Sequence, residues 1–156
     1  GTVQSRYPAG NAPTGTEIQY HRNGAVRMTV PMVRGTRHGY ARVQGPHGRG
    51  VARLTYRKGE RHGLEVHYHP NGKPRMVVPV SSGKRSGRAV IYTPGGRRWA
   101  EVPYHSGVRH GTERRFGPSG NHIIEERDYR SGVALERRSY ITQIRGAEPP
   151  PSPTAR

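Results

Sequence analysis

Arginines recur at a fixed interval along this 156-residue chain, and their chemistry suits an anionic ligand. Four of them are separated from one another by 24 residues: Arg37, Arg61, Arg85 and Arg109. A guanidinium can donate two parallel hydrogen bonds to a phosphate, so a regular row of them suits a polyanion with regularly spaced phosphates. Five more arginines in the predicted strands and turns complete the candidate anion-binding set: Arg57, Arg97, Arg98, Arg114 and Arg115.

The net charge supports an anionic partner. The chain has 27 basic and 10 acidic residues, a formal charge of +17, and such an excess repels itself unless a partner or solvent screens it. RNA or a ribonucleoprotein assembly is favoured, because neutralising a phosphate backbone needs no sequence-reading motif. An acidic protein in a larger assembly and peripheral contact with phospholipid headgroups are the alternatives. The competing explanation is that the row of four arginines is exposed to solvent and partly ion-paired within the chain. The partners would be Glu17, Glu65 and Glu113, which recur every 48 residues.

Other chemistry finds little support in the residues. The chain has no cysteine, which excludes disulfides, thiolate catalysis and cysteine-bound zinc. His67 and His69 could share a metal, but no third ligand follows from the spacing. The acidic residues between 125 and 128 are interpreted as counterions of Arg127 and Arg130, not as a catalytic pair. We therefore predict no enzymatic activity, no cofactor, no metal and no small-molecule substrate.

The elements that would position these arginines are indicated by glycine. Fourteen of the 22 glycines fall in three columns that repeat every 24 residues, which a low-complexity segment would not produce. The columns are Gly15, Gly39, Gly63, Gly87 and Gly111; Gly24, Gly48, Gly72, Gly96 and Gly120; and Gly35, Gly59, Gly83 and Gly107. In the fifth unit the pattern slips by one residue, so that Gly132 follows Ser131, which occupies the predicted glycine position.

Two short segments between these glycines alternate apolar and polar residues, as strands do. Val66 and Tyr68 illustrate the first segment, and Ala52, Leu54 and Tyr56 the second. A proline or asparagine before a glycine joins them, which is turn chemistry. Because a single hairpin is marginal in water, the units should stack side by side at about 10 Å per unit. The predicted fold is all-β: stacked antiparallel β-hairpins that form one elongated twisted sheet.

Proline recurs inside the second segment of three units, at Pro31, Pro79 and Pro103. Proline cannot donate a ladder hydrogen bond, so we expect a bulge or an unpaired position at this column.

These residues resemble the MORN repeat family, in the variant common in bacterial antitoxin-like proteins. The Tyr-x-x-Asn-Gly turns that begin at Tyr20 and Tyr68, and the connector from Gly59 to Gly63, are the best copies. The resemblance covers roughly residues 15–135. It implies a trough-like sheet that serves as a scaffold or binding platform, sometimes at membranes, and not as a catalyst. It also keeps open a role as an adaptor subunit or antitoxin-like binder.

The repeat pattern divides the chain into four predicted parts. Residues 1–14 form a partial N-terminal repeat, 15–135 five repeats of about 24 residues, 136–145 a partial C-terminal repeat, and 146–156 a disordered proline-rich tail. The chain begins at Gly1 and not at methionine, which is compatible with an upstream segment that has been removed. An intracellular location, including an organelle, is the expectation.

Overall fold

The computed structural model describes residues 3–6 and 14–140, and these form one antiparallel sheet of sixteen strands. The first eight strands are β1 (Val3–Arg6), β2 (Gly15–Tyr20), β3 (Val26–Val33), β4 (Thr36–Arg37), β5 (Gly39–Gln44), β6 (Gly50–Arg57), β7 (Glu60–Arg61) and β8 (Gly63–Tyr68). The others are β9 (Pro74–Ser81), β10 (Lys84–Arg85), β11 (Gly87–Tyr92), β12 (Arg98–His105), β13 (Val108–Arg109), β14 (Gly111–Phe116), β15 (Ile123–Arg130) and β16 (Val133–Ser139).

Strand order in the sheet follows the order of the chain. Five hairpins, β2–β3, β5–β6, β8–β9, β11–β12 and β14–β15, lie side by side. The two-residue strands β4, β7, β10 and β13 each fold back on the long strand that precedes them. The described residues contain no helix, and hence none that is long and apolar enough to cross a membrane. The predicted all-β fold of stacked antiparallel hairpins is confirmed.

The hairpin tips are four-residue turns that explain the proline and one glycine column. In the second unit the Gly48 amide donates to the Gly45 carbonyl oxygen at 3.0 Å, and Pro46 stands between them at the second turn position. Gly48 has a φ of 76°, a conformation that costs glycine little. The proline therefore fixes the entry to the turn and the glycine its exit.

The connectors between units are two-residue turns with both φ angles positive, the type that matches the twist of antiparallel strands. Arg34 has a φ of 48° and Gly35 a φ of 73°. Successive connectors also bond to one another, because the Gly59 amide donates to the Arg37 carbonyl oxygen at 2.9 Å. The same bond recurs down the array from Gly83, Gly107 and Gly132. The glycine column thus serves both the turn and the stacking.

The irregularity predicted at the proline column, a bulge or an unpaired position, is present as a break in the pairing of the strand that faces the proline. Met32 pairs with Arg37, whereas Thr29 pairs with Arg42, so the register moves by two residues between them. The His38 amide donates to the Pro31 carbonyl oxygen at 2.9 Å. Proline is tolerated there because the partner strand leaves the regular ladder at the same level.

The slipped glycine of the fifth unit is explained by one extra residue in its hairpin tip. The Thr93 amide donates to the carbonyl oxygen of Arg97, four residues on, whereas the Gly117 amide donates to that of His122, five residues on. The following connector therefore falls on Ser131 and Gly132, with φ angles of 48° and 86°.

One face of the sheet, here called the core face, carries most of the buried side chains, whereas Val66 is buried on the opposite face. Met28, Val30, Ala41 and Tyr56 form one cluster, and Val78, Ala89 and Val102 form a second. Four glutamates and one glutamine are buried as well: Glu17, Gln19, Glu65, Glu113 and Glu125. In the first strand of each unit the middle core-face position alternates between glutamate and alanine, which gives the 48-residue period a structural meaning.

The division of the chain into repeats and caps stays a prediction. β1 lies in the segment assigned to the N-terminal partial repeat, and β16 extends into the segment assigned to the C-terminal one. The predicted tail, 146–156, and residues 141–145 lie outside the described residues.

Candidate anion-binding surface

The four connector arginines occupy equivalent positions on the core face, beside the end of the preceding long strand. Arg37 pairs in register with Met32, and Arg61 with Tyr56. Arg85 and Arg109 repeat the arrangement in the next two connectors. Backbone pairing fixes the spacing of this connector row, as the sequence predicts. Its side chains, however, are already engaged within the protein.

Arg37 joins the first two units. Its Nε and Nη2 donate to the two carboxylate oxygens of Glu17 at 3.0 and 2.7 Å, and its guanidinium lies 5.5 Å from the ring centroid of Tyr56. Gln19 donates a further hydrogen bond to Glu17 at 2.7 Å, and Arg27 in turn donates to Gln19. These bonds satisfy a carboxylate that is only 7% exposed.

Arg109 also holds a buried glutamate, but this one lies four residues after the arginine, whereas Glu17 lies 20 residues before Arg37. Its Nη1 donates to Glu113 at 3.2 Å and to the Tyr129 hydroxyl at 3.0 Å, and its guanidinium lies over the Tyr129 ring. Arg61 bonds Glu65 at 3.1 Å and the Gly83 carbonyl oxygen at 3.1 Å. Three of the four connector arginines therefore hold a buried glutamate.

Arg85 differs from the other three. Its guanidinium lies 5.5 Å from the centroid of Tyr104, and it forms no ion pair with a described carboxylate. The positive charge of Arg85 helps to lower the pKa of Glu65, but that carboxylate is ion-paired with Arg61 and His67. Arg85 is therefore the connector arginine with the most charge left for a ligand.

The pKa shifts follow from these contacts. The hydrogen bonds from Arg37 hold the pKa of Glu17 below its ordinary value, against the opposing effect of burial. The hydrogen bond with His67, at 2.6 Å, does the same for the pKa of Glu65. Glu17 in turn raises the pKa of Arg37. For Arg109, burial lowers the pKa, but Glu113 and Tyr129 together outweigh it and raise the pKa.

The other five predicted arginines divide into two groups. Arg57 and Arg97 are exposed and form no ion pair with a described carboxylate. Arg98 lies 3.9 Å from the Phe116 ring centroid and bonds Glu101 at 3.0 Å. Arg114 bonds Glu126 at 2.9 Å, and Arg115 bonds Glu113 at 3.4 Å. The last three therefore keep less charge for an outside ligand.

The acidic cluster between 125 and 128 has counterions, but the predicted partners are wrong. Its carboxylates bond arginines of the adjacent strands: Arg115, Arg137, Arg114 and Arg138. Arg127 and Arg130 take no part among the described ion pairs. On a strand, consecutive side chains point to opposite faces, so the cross-strand neighbour is nearer than the sequence neighbour.

The histidines singled out by spacing have separate partners. His67 bonds Glu65, and the Nε2 of His69 bonds the Tyr92 carbonyl oxygen at 2.9 Å at a hairpin tip. Among the described residues, no group of three metal-ligating side chains occurs.

Sequence reasoning missed that the positive charge is concentrated in one part of the array. Residues 18–59, here called the cationic stretch, contain no Asp or Glu and nine basic residues: Arg22, Arg27, Arg34, Arg37, Arg42, Arg49, Arg53, Arg57 and Lys58. Residues 101–140 contain seven basic and six acidic residues, a net charge of +1 against +9. A count of charge per repeat would have revealed this asymmetry from the sequence.

Within the cationic stretch, two arginines oppose each other directly. Arg42 of β5 and Arg53 of β6 are in-register partners on the face opposite to the core face. Both are exposed, and neither forms an ion pair with a described carboxylate. The Arg53 guanidinium lies 5.2 Å from the centroid of Tyr40, which is 63% exposed. These three side chains are called the Arg42 cluster.

Comparison with known families identifies the hairpin at the centre of this array. A family model described as the MORN repeat variant matches residues 61–80, which run from Arg61 of β7 through the β8–β9 hairpin to Val80. The predicted resemblance to MORN repeats is confirmed. The MORN repeat is generally a non-enzymatic binding module, and the hairpins on either side of this one repeat its turns and pairing. A comparison with curated proteins found no match to this chain.

Proposed function

We propose that this MORN-repeat chain is a non-enzymatic scaffold whose cationic stretch binds RNA, either as a free strand or within a ribonucleoprotein assembly. One observation carries the proposal: nine basic residues and no acidic residue lie between positions 18 and 59. Of these nine, only Arg37 is ion-paired with a described carboxylate. Eight cations on a hydrogen-bonded sheet are therefore available to neutralise phosphates.

The distribution of these cations favours a flexible polyanion over a flat membrane. Arg22 and Arg49 lie near the hairpin tips, at one end of the strands, and Arg34 and Lys58 lie in the connectors, at the other end of the strands. Arg42 and Arg53 lie between these two ends, on the face opposite to the core face. A flat lipid surface would contact the cations of the cationic stretch on one side only. A nucleic-acid strand can follow these cations from the hairpin tips across the face to the connectors.

The first residue of each connector turn indicates that a positive charge at this position is not needed for the fold. The residue held at positive φ before the glycine is Arg34 or Lys58 in the first two connectors, and serine in the next three, at Ser82, Ser106 and Ser131. The same turn therefore forms without a cation. Because a positive φ strains a long side chain as much as a serine, the cations are better explained by binding than by turn formation.

This assignment narrows the predicted anion-binding set. Arg57 belongs to the cationic stretch, and Arg85 and Arg97 are free enough to extend it. Arg37, Arg61 and Arg109 are proposed to hold the units together through their glutamates. Replacing them would disturb the fold as well as any ligand contact, so they are poor probes of binding.

Binding of a fluorescent single-stranded RNA, titrated at several salt concentrations, tests the proposal. We expect affinity to fall steeply with salt, with a slope of log K against log salt of about −3 to −5 for roughly four to seven neutralised phosphates. Hydrogen exchange should show RNA-dependent protection within 18–59 and little within 101–140. Salt-independent binding would contradict the proposal. So would a preference for anionic vesicles or poly-glutamate over RNA, which would support a lipid or an acidic protein as the partner.

A further inference from the structure

We propose that the Arg42 cluster binds one nucleotide of single-stranded RNA, with the phosphate on the two guanidiniums and the base on the Tyr40 ring. The inference rests on the proposed function and locates a specific site within the cationic stretch. It concerns the face opposite to the core face and is separate from the connector row.

The first argument is the direct opposition of two like charges. Arg42 and Arg53 are in-register partners, and side chains so placed have Cβ atoms about 4.5–5.5 Å apart. Like charges at this position are unfavourable, and no described carboxylate lies between them to offset the repulsion. A phosphate that accepts hydrogen bonds from both guanidiniums would remove the repulsion and gain two charge-assisted contacts.

The second argument comes from the same pair of positions in the other hairpins. These pairs are Ile18 with Thr29, Val66 with Val77, Val90 with Glu101, and Arg114 with Glu126. At this place the sheet thus accepts an apolar pair, an apolar residue opposite a polar or acidic one, or an opposite-charge pair. Only the second hairpin of the described array has two cations here, so the fold does not require them.

Tyr40 supplies the third argument. Tyr40 is 63% exposed, so its side chain is accessible to a ligand. The Arg53 guanidinium lies over the ring, and the exposed surface of Tyr40 can receive a base. Base stacking together with phosphate contacts is characteristic of proteins that bind single strands, and neither a lipid headgroup nor an acidic peptide would use the ring in this way.

The experiment compares two double variants of the full chain that lose the same charge. R42Q/R53Q removes the unpaired arginines, and R114Q/R138Q removes two arginines of the same row that are ion-paired with Glu126 and Asp128. Affinity for a labelled oligouridylate of about 12 nucleotides is measured by anisotropy at several salt concentrations. Inorganic phosphate and phosphatidylserine vesicles serve as separate competitors. Circular dichroism verifies that each variant is folded. If R114Q/R138Q is unfolded, the comparison is repeated with the single variants R42Q and R114Q.

We expect R42Q/R53Q to weaken RNA binding at least about tenfold more than R114Q/R138Q does, and to reduce the salt slope by about one. Y40L should weaken binding about fivefold or more with an unchanged salt slope, whereas Y140L, at another exposed tyrosine, should not. Equal losses for the two double variants would overturn the site and leave the proposed function standing. If the unaltered chain fails to bind RNA, or if the vesicles displace RNA from it, both the site and the proposed function are overturned.

Discussion

At the scale of single residues, this protein depends on carboxylates buried in a one-layer sheet. Glu17, Glu65 and Glu113 occupy the same core-face position in alternate hairpins, and each receives a connector arginine. Burial of a carboxylate is costly unless it is hydrogen-bonded, and no buried side-chain nitrogen or oxygen of the described residues lacks a partner. The arginines of the connector row thus have a structural role that their spacing alone did not reveal.

Replacing one buried glutamate should make this role measurable. Glu17→Gln is expected to lower the free energy of unfolding at neutral pH by about 1–2 kcal/mol, since Arg37 loses a bidentate partner but stays partly exposed to water. Urea denaturation measures the change. Glu60→Gln, at an exposed carboxylate without a described ion pair, is the control, with an expected change within about 0.5 kcal/mol.

The same pair predicts how stability depends on pH. Because Arg37 holds the folded pKa of Glu17 below the ordinary value of 4.5, the contribution of Glu17 is fully present above that pH and is lost as pH falls through the folded pKa. The difference in urea midpoint between the unaltered chain and Glu17→Gln should therefore be large at pH 7 and shrink in acid. A difference that stays constant down to the acid end would contradict this assignment.

Arg42 and Arg114 occupy equivalent positions on the face opposite to the core face, and their substitution should change the free energy of unfolding in opposite directions. Arg42→Gln is expected to raise the free energy of unfolding by a few tenths of a kcal/mol at low salt, since it removes repulsion from Arg53. Arg114→Gln removes an ion pair with Glu126 and should lower it by a similar amount. Thermal unfolding at low and high salt tests the pair, and equal changes for both variants would rule out the repulsion.

At the scale of elements, the repeat is defined by its connector and the bulge that follows it. The two-residue turn reverses the chain, and Gly39, Gly63, Gly87 and Gly111 then stand at φ angles of 93° to 104° where the strand resumes. Such angles are accessible to glycine and costly for other residues. The bulge places the connector arginine beside one long strand and lets the next hairpin pair with the same strand.

Gly63 and Gly50 offer a matched test of this bulge within one part of the array. Gly63→Ala should destabilise the protein by about 1–3 kcal/mol, because φ is +104° and the new Cβ would lie 3.3 Å from Thr55 Cγ2. Gly50→Ala, where nothing lies within 4 Å and φ is not positive, should be neutral or stabilise by up to about 1 kcal/mol. Thermal and urea unfolding measure both, and an equal tolerance for alanine would show that the bulge is not constrained.

At the scale of the whole molecule, the charge distribution separates binding from folding. The ten acidic residues include none between Glu17 and Glu60, so the ion pairs of the array are concentrated in its later hairpins. The hairpins of the cationic stretch repel one another across a spacing of about 10 Å per unit, which is close to the Debye length at about 0.1 M salt. Salt should therefore relieve most of this repulsion.

Salt is expected to stabilise the isolated protein. Raising sodium chloride from about 20 mM to about 0.5 M should raise Tm, because screening of a net charge of +17 outweighs the weakening of exposed ion pairs. Differential scanning fluorimetry at several concentrations measures the shift, and single-stranded RNA at low salt should produce a comparable increase. A fall in Tm with salt would mean that the ion pairs dominate over the net repulsion.

Local residues determined the elements of this fold. The glycine columns at 24-residue spacing specify turns because only certain backbone angles close them, and the alternating apolar residues specify strands. The hairpins, their stacking and the bulge opposite proline therefore follow from the sequence. The connector row also follows, since equal spacing in a regular array gives equivalent positions.

What the tertiary structure decided is which charges meet. Glu17 and Arg37 lie 20 residues apart, and Arg42 faces Arg53 only because the register of two strands aligns them. Pairing across strands depends on the exact register and on bulges, so the prediction that the sequence neighbours Arg127 and Arg130 are the counterions of the acidic cluster is wrong. The sequence determined that the chain is a cationic array of hairpins. The register of its strands determined which guanidiniums are neutralised inside the protein and which stay available to a ligand, because an ion pair forms only between groups that the backbone brings within a few ångströms.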